Sequence, residues 1–263
     1  MLTETQRNFG LREDIVSYWS DRAETFDSSP AHGIGSDAER DAWTALISHT
    51  IGPAPKAVLE LACGTGEITQ ILGRLGYEVT ALDFAEPMLR RARAKLSAHP
   101  NVRLRLGDAE NCLEADKSFD ALISRHLVWT LLSPAETLSD WYRVLRPGGT
   151  LVVLDGNWSE PTPLGRLLVP LSRLIDRLLG VPPALSADMV QRHRSILRKL
   201  PFADGLTEEK LTALLQQAGF VDIRRLPRGH VARAQRRVAT LGGALRSLGQ
   251  HYVYLSARRP DAP

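Results

Sequence analysis

The stretch from residue 57 to residue 83 places the tightest limit on how this chain can fold. It contains an apolar strand ending at Glu60, a loop with Gly64 and Gly66, a helical stretch, and a second strand ending at Asp83. Glycines let the backbone approach a ligand, and the N-terminus of the next helix offers unpaired N–H groups to an anion. An acid about 20 residues further on is placed to accept hydrogen bonds from ribose hydroxyls. The pattern predicts a site for adenosine with an anionic tail.

The alternation of strands and helices continues along the chain. Further strands are predicted at residues 102–106, 119–124, 150–154, 220–226 and 251–257, and further helices at 88–96, 134–145 and 208–217. Parallel strands need crossover connections, which are usually helices, so this order predicts a doubly wound α/β sheet with helices on both faces.

A chain of 263 residues with 43% hydrophobic content can bury one core, so we predict a single domain. Its parts are an N-terminal helical lid (1–50), a cofactor-binding core (56–158) and a C-terminal helix with strands (206–258). Between them, residues 160–205 hold proline pairs and leucine-rich helical runs. We expect this segment to form a helical cap over the carboxyl edge of the sheet. Its apolar helices would also suit a dimer interface, so a homodimer stays open.

Composition argues against several other classes of protein. Cys63 and Cys112 form no CxxC pair, so neither a disulfide framework nor a zinc site is predicted. The N-terminus has no apolar leader, and no run reaches about 18 apolar residues, so we expect a cytoplasmic protein with no membrane partner. The 33 basic and 30 acidic residues give a net charge of +3, which does not by itself indicate nucleic-acid binding.

The glycine loop departs from the nicotinamide dinucleotide pattern, because Thr69 occupies the position of the third glycine of GxGxxG. The string ELACGTG at residues 60–66 instead resembles the first signature of the class I S-adenosylmethionine-dependent methyltransferases. Four further signatures follow in that family's order, at residues 81–89, 107–110, 119–124 and 143–149. The resemblance covers about residues 56–155. It implies a methyltransferase with a Rossmann-like, mostly parallel sheet of seven strands, the last antiparallel, and with S-adenosylmethionine as cofactor.

The resemblance also implies which residues contact the cofactor. Those expected around its methionine part are Glu60, Ala62, Gly64 and Gly66, with Ser124 and Arg125 near the reacting methyl group. Those expected around its adenosine part are Asp83 at the ribose, Phe84 and Met88 beside the adenine, and Asp108 and Ala109 at the adenine edge. For Met88, filling of the core is an alternative.

Within that superfamily, the chain is similar to the small-molecule branch that includes ubiquinone and menaquinone methylases. The string YWSDRAETFD at residues 18–27 resembles an N-terminal stretch of many such proteins, in which a helix folds over the cofactor. Phenylalanine replaces the second tyrosine of that stretch at Phe26. We expect Tyr18 and Trp19 to belong to the lid and contact the substrate, although an amphipathic helix that buries both aromatics is an equal alternative.

His126 is the candidate general base for methyl transfer. It directly follows the fourth strand, at the edge where open α/β sheets bind ligands, and histidine titrates near neutral pH. The alternative is a histidine that packs beside the cofactor. Other candidates for contact with the acceptor are His32, Trp129, Asn157 and Trp158, with core packing as the alternative for the two tryptophans.

No metal is predicted. Catechol-type members of the superfamily place a metal between an acid at the fourth strand end and an Asp-Asn pair after the fifth strand. Asp155 and Asn157 are present here, but Ser124 stands where the acid should be.

The preferred function is transfer of a methyl group to an O, N or C atom of a small molecule. One alternative is an RNA or protein methyltransferase that docks its substrate on residues 224–237, which hold six arginines and no acid. That segment can also be a solvated surface. A cofactor-binding module without activity is the third interpretation. The apolar segment 160–205 favours the small-molecule function, because a closed pocket suits a small acceptor.

Overall fold

A computed structural model describes residues 4–29 and 32–261 of the chain. Its strands are β1 (Ala57–Leu61), β2 (Glu78–Asp83), β3 (Val102–Leu106), β4 (Phe119–Arg125), β5 (Leu145–Asn157), β6 (Val221–Arg225) and β7 (His251–Arg258). Its α-helices are α1 (Glu4–Arg22), α2 (Asp37–Ile51), α3 (Glu67–Arg74), α4 (Glu86–Leu96), α5 (Pro134–Val144), α6 (Pro163–Leu178), α7 (Ala187–Leu197), α8 (Glu208–Gln217), α9 (Gly229–Val238) and α10 (Leu241–Leu248). Short 3-10 helices cover Ala23–Thr25 and Val128–Thr130.

The seven strands form one sheet in the order β3-β2-β1-β4-β5-β7-β6. Strands β1 to β5 pair in parallel, and β7 runs antiparallel to both of its neighbours. The predicted fold is therefore confirmed. From β1 the chain winds outward to β2 and β3 and then returns to β4 on the other side of β1. This reversal opens a crevice at the carboxyl ends of β1 and β4, where ligands bind in sheets of this kind.

Both faces of the sheet are covered, which explains why its central strands are apolar without alternation. On β4, Leu122 packs in a core with residues of α1, α5 and α8. The next residue, Ile123, points to the opposite face and packs with α2, α3 and α9. The sheet thus holds two hydrophobic cores, one on each face, and its carboxyl edge lies between them.

The segment 160–205, predicted to be one cap over the carboxyl edge, holds two helices that pack in different places. Helix α7 contacts α1, whereas α6 contacts α10. The inner face of α6 consists of small and polar residues, with Gly165 and Ser172 buried. Leucines from the leucine-rich run of α6, such as Leu167 and Leu171, are exposed to solvent.

The observed helices and strands differ from the predicted ones in two further respects, the bounds of one strand and the number of helices. Strand β5 begins directly after α5 and reaches Asn157, so it is longer than the predicted strand at 150–154. The arginine-rich segment contains α9, which with α10 connects β6 to β7. Within residues 4–29 and 32–261, no helix has both the length and the apolar character needed to cross a bilayer.

Candidate active site

The loop after β1 is held open by the carboxylate at the end of β2. The Gly64 N–H donates to Asp83 Oδ2 at 2.8 Å, and the Ala85 N–H donates to Oδ1 at 2.8 Å. Each carboxylate oxygen keeps a lone pair for a further donor. Gly66 has a φ of +85°, and a Cβ there would lie 2.9 Å from Leu96 of α4. The close packing of α3 on α4, which aims the α3 N-terminus, therefore requires a glycine.

Three small cavities adjoin along the carboxyl edge of the sheet. The cavity at the glycine loop is lined by Phe26, Glu60, Ala62, Gly64, Arg125 and His126 among others. The middle cavity shares five of these residues and adds Trp19, Asp83, Phe84, Met88, Leu127 and Thr130. The third is lined by Arg12, Phe84, Asp108, Ala109, Glu110 and Thr130 among others. An elongated ligand that spans all three would run from the glycine loop to the end of β3.

The first cavity brings together a buried acid, Glu60, and a partly buried cation, Arg125. Burial raises the pKa of Glu60 to about 8. Within the described part of the chain, Glu60 Oε2 and Arg125 Nη1 are both buried without a hydrogen-bond partner. A buried polar group without a partner costs free energy, so these two atoms are suited to hydrogen bonds with a ligand. The Glu60 carboxyl oxygen accepts hydrogen bonds and the Arg125 guanidinium donates them. Together they fit the ammonium and the carboxylate of an amino-acid group.

The N-terminal segment closes over this loop through polar contacts. Asp27 accepts a hydrogen bond from Thr65 and forms an ion pair with Lys95 of α4 at 2.7 Å. Arg125 donates to the His32 carbonyl. Further along α1, Arg12 forms ion pairs with Asp108 and, at 3.5 Å, with Glu110. The segment therefore covers the cavities at both ends.

Aromatic and imidazole rings surround His126. Its ring centroid lies 5.0 Å from that of Trp158 and 5.4 Å from that of His32. His126 has a left-handed φ of +59°, which is uncommon for a residue other than glycine. This backbone is held by the His126 N–H, which donates to Leu154 O at 3.0 Å, and by its carbonyl, which accepts from Trp129 Nε1 at 3.1 Å. Strain of this kind persists where the surrounding structure fixes it, often at functional sites.

Asp155, at the end of β5, holds two groups near the His126 imidazole, the Val128 N–H and the Trp158 indole. It is fully buried, and its carboxylate accepts from the Val128 N–H at 2.7 Å and from Trp158 Nε1 at 3.0 Å. Burial raises its pKa to about 7. This carboxyl group orients the turn after His126 and the indole beside it.

The structure gathers most of the predicted site residues and separates a few. Those that line the three cavities are Trp19, Glu60, Ala62, Gly64, Asp83, Phe84, Met88, Asp108, Ala109, Arg125 and His126. His32 and Trp158 lie beside His126. Tyr18, Trp129 and Ser124 are buried behind the cavities rather than in their walls. Asn157 Oδ1 instead accepts from the Ser159 and Glu160 N–H groups, each at 3.1 Å, and so shapes a turn.

Several lining residues were missed by the sequence prediction. Phe26 lines two of the cavities, although it was noted only as a departure from a family motif. Leu127 and Thr130 follow His126 closely, so their place after β4 was a usable signal. Arg12 had no such signal, because its role depends on where α1 docks. Among the described residues no cluster of three or more His, Cys, Asp or Glu side chains could hold a metal ion.

We expect the ligand-free protein to lose stability as the pH rises from about 4 to about 8. Burial raises the pKa of Glu60 to about 8 and that of Asp83 to about 6. The folded state therefore keeps protons that the unfolded state has released, and unfolding becomes more favourable through this window. Glu60→Gln should be more stable than the parent at pH 8.5 by about 2–4 kcal/mol and nearly equal at pH 4.

Urea denaturation at the two pH values measures this difference. Glu78→Gln is the control, since Glu78 is exposed at the start of β2. Its replacement should leave the free energy of unfolding unchanged at both pH values. Equal stabilities of Glu60→Gln and the parent at pH 8.5 would show that Glu60 is ionised at no cost in the folded protein.

Comparison with known proteins is consistent with this geometry. A methyltransferase domain family matches residues 59–153. A demethylmenaquinone methyltransferase of Clavibacter sepedonicus is 30% identical over 224 residues, which cover 83% of this chain and 85% of the relative. The enzyme of the same name from Thermus thermophilus is 34% identical over 170 residues, covering 64% of this chain and 75% of the relative.

Among solved structures, the Burkholderia thailandensis 1,6-didemethyltoxoflavin-N1-methyltransferase, bound to its substrate and S-adenosylhomocysteine, superposes with a TM-score of 0.60. It is 18% identical, and the match covers 99% of this chain and 92% of that one. At this identity the likeness supports the fold alone.

Proposed function

The chain belongs to the class I S-adenosylmethionine-dependent methyltransferases, in the branch of the menaquinone methylases, and from this we propose that it methylates a small, planar aromatic acceptor. The observation that carries the proposal is the set of rings around His126, with Trp158 at 5.0 Å and His32 at 5.4 Å. Flat rings on several sides suit a flat ligand that stacks against them. The relative named as a demethylmenaquinone methyltransferase supports a small-molecule acceptor.

The cavities fit S-adenosylmethionine, which supplies a methyl group already activated on a sulfonium. We assign its ammonium to Glu60, its carboxylate to Arg125 and its ribose to the free lone pairs of Asp83. The adenine would lie between Phe84 and Met88, with its edge at Asp108 and Ala109. Asp108 would then serve two partners, since Arg12 already contacts it. Gly64 and Gly66 would border the methionine part.

His126 is the proposed general base. The leaving group needs no further activation, so the protein has to align the acceptor, exclude water and remove a proton where the acceptor carries one. His126 lies between the cofactor cavities and the indole of Trp158. Asp155 is a positioning residue in this proposal, because it accepts from the Val128 N–H, two residues after His126, and from the Trp158 indole, which packs on the His126 ring.

The alternative of an RNA or protein substrate gains no support from the arginines of residues 224–237. The Arg228 guanidinium lies over the Tyr252 ring, 3.2 Å from its centroid. Arg225 faces Glu208 at 3.4 Å. These contacts with the chain itself account for part of the segment, and the relatives in sequence are named for methylation of a small molecule, demethylmenaquinone.

A screen of acceptors tests the proposal. We expect the purified enzyme to transfer label from methyl-labelled S-adenosylmethionine to phenolic, quinol or heteroaromatic compounds, with mass spectrometry identifying the product. Aliphatic amines of similar size serve as the control and should stay unlabelled. Label in RNA or protein, with none in any aromatic compound, would contradict the proposed acceptor class.

We also propose a cytoplasmic location. Cys63 and Cys112 are both buried and unpaired, which suits a reducing compartment. Cell fractionation would test the proposal, and the methyltransferase activity should be recovered in the cytoplasmic fraction.

A further inference from the structure

Helix α6 exposes a stripe of leucines. Leu164, Leu167, Leu171, Leu174 and Leu178 recur at intervals of three and four residues, which places them on one side of the helix. Each is between 46% and 76% exposed. Leu179, directly after α6, and Leu241 and Leu248 of the adjoining α10 are also exposed. Among the described residues, these eight, which we call the leucine surface, account for most of the exposed large apolar side chains.

The leucine surface faces away from the body of the protein. The opposite side of α6 is held to α10, where Asp176 pairs with Arg246 at 2.5 Å and the Thr162 N–H donates to Gly249 O at 3.1 Å. The inner side of α6 therefore makes its contacts within the chain, whereas the leucines are exposed to solvent. The five leucines that share one side of α6 form an apolar patch, and such a patch marks a surface for a partner or a membrane.

The charges beside the leucine surface favour an anionic partner. Arg166, Arg173 and Arg177 lie along one flank of the leucine stripe, and all three are exposed. The one acid of α6, Asp176, is already paired with Arg246. A second copy docked by a two-fold axis would present the same patch. The second copy would place its own arginines at the rim of the interface. Its α6 has no unpaired acid that could form ion pairs with the arginines of the first copy.

An anionic lipid bilayer satisfies both features of this surface. An interfacial helix buries its apolar side in the headgroup region while its basic side chains reach the phosphates. Each arginine near an anionic membrane surface adds to the attraction. We propose that the leucine surface docks this enzyme onto anionic bilayers. This revises the expectation of no membrane partner, which rested on the lack of a spanning segment.

The proposal goes beyond the proposed function but fits its geometry. Helix α6 follows the end of β5 and α10 precedes the start of β7. Asn157 and His251 pair there, at the carboxyl edge of the sheet. Docking through α6 and α10 would bring the edge that carries the methyl-transfer pocket towards the bilayer, where an apolar acceptor could reach it.

Vesicle flotation of the 263-residue chain tests the proposal. We expect binding to vesicles that contain phosphatidylglycerol and little binding to vesicles of phosphatidylcholine alone. Leu167→Gln combined with Leu178→Gln should weaken the binding more than tenfold, because these leucines are 73% and 76% exposed and lose their apolar contact with the lipid. Arg173→Gln combined with Arg177→Gln should also weaken binding to the anionic vesicles.

The matched control is Leu106→Gln combined with Leu113→Gln, which alters two leucines that are 60% and 78% exposed elsewhere on the molecule. This control should bind vesicles like the parent. Cofactor affinity should be unchanged in all variants, which separates this test from the proposed methyltransferase site. Absence of binding by the parent, or equal binding by the Leu167/Leu178 variant, would overturn the proposal. So would a parent dimer in light scattering that the Leu167/Leu178 variant converts to a monomer, because a second copy would then cover the surface.

Discussion

Replacement of His126 by asparagine is expected to lower kcat by about 10²–10⁴-fold on a hydroxyl-bearing aromatic acceptor, the range that a general base contributes. Asparagine tolerates the left-handed φ of +59° at this position, so the backbone should stay in place. The amide removes the proton acceptor and leaves the cofactor cavities intact. The affinity for S-adenosylhomocysteine, measured by calorimetry, should therefore stay within about twofold of the parent value, well under 1.4 kcal/mol.

The pH profile distinguishes a base from a packing residue. If His126 removes a proton, the acidic limb of kcat/KM in the parent should disappear in His126→Asn. His193→Gln is a matched control, because that imidazole also packs against an aromatic ring, Trp129 at 5.3 Å, but lies on α7 and outside the three cavities. A kcat for His126→Asn close to that of His193→Gln, with an unchanged acidic limb, would assign His126 to packing beside the cofactor.

Replacement of Asp83 by alanine is expected to weaken cofactor binding by about 1–3 kcal/mol, which is roughly 5- to 150-fold in Kd. The buried carboxylate holds the Gly64 and Ala85 N–H groups, and the variant leaves both without their acceptor. The glycine loop therefore loses its support at the same time as the ribose loses its partner. We expect the free energy of unfolding to fall as well, by about 1–3 kcal/mol.

Asp120→Ala separates the two effects of the Asp83 change. Asp120 accepts from the Ala57 N–H at 2.8 Å, at the start of β1 rather than its end. Its loss should destabilise the protein without changing the affinity for S-adenosylmethionine. Titration with NAD is the companion measurement and should show no binding in any variant, because Thr69 stands where a dinucleotide site has glycine. Unchanged cofactor affinity in folded Asp83→Ala would refute the assignment of Asp83 to the ribose.

The sequence predicted the sheet correctly, and most residues that it assigned to the cofactor line adjoining cavities at one edge of the sheet. Both results depend on short-range patterns. The apolar strand, the glycine turn and the acid at Asp83 lie within one strand-loop-helix-strand unit, where backbone preference and spacing decide the geometry. Thr207 directly precedes the predicted helix at 208–217, and it caps α8 by accepting from the Lys210 N–H at 3.2 Å. The parallel order followed because helical crossovers leave few other topologies.

The tertiary structure alone decided which surfaces meet. Arg12 reaches Asp108 only because α1 docks across the end of β3, a contact between residues 96 positions apart. The leucines of α6 carried the periodicity of a buried face, yet Gly165, Ser172 and Asp176 face α10 and the leucines face outward. The spacing of apolar residues indicates that a helix has an apolar side. Whether that side is buried depends on the total free energy of all its contacts, which no local stretch of sequence contains.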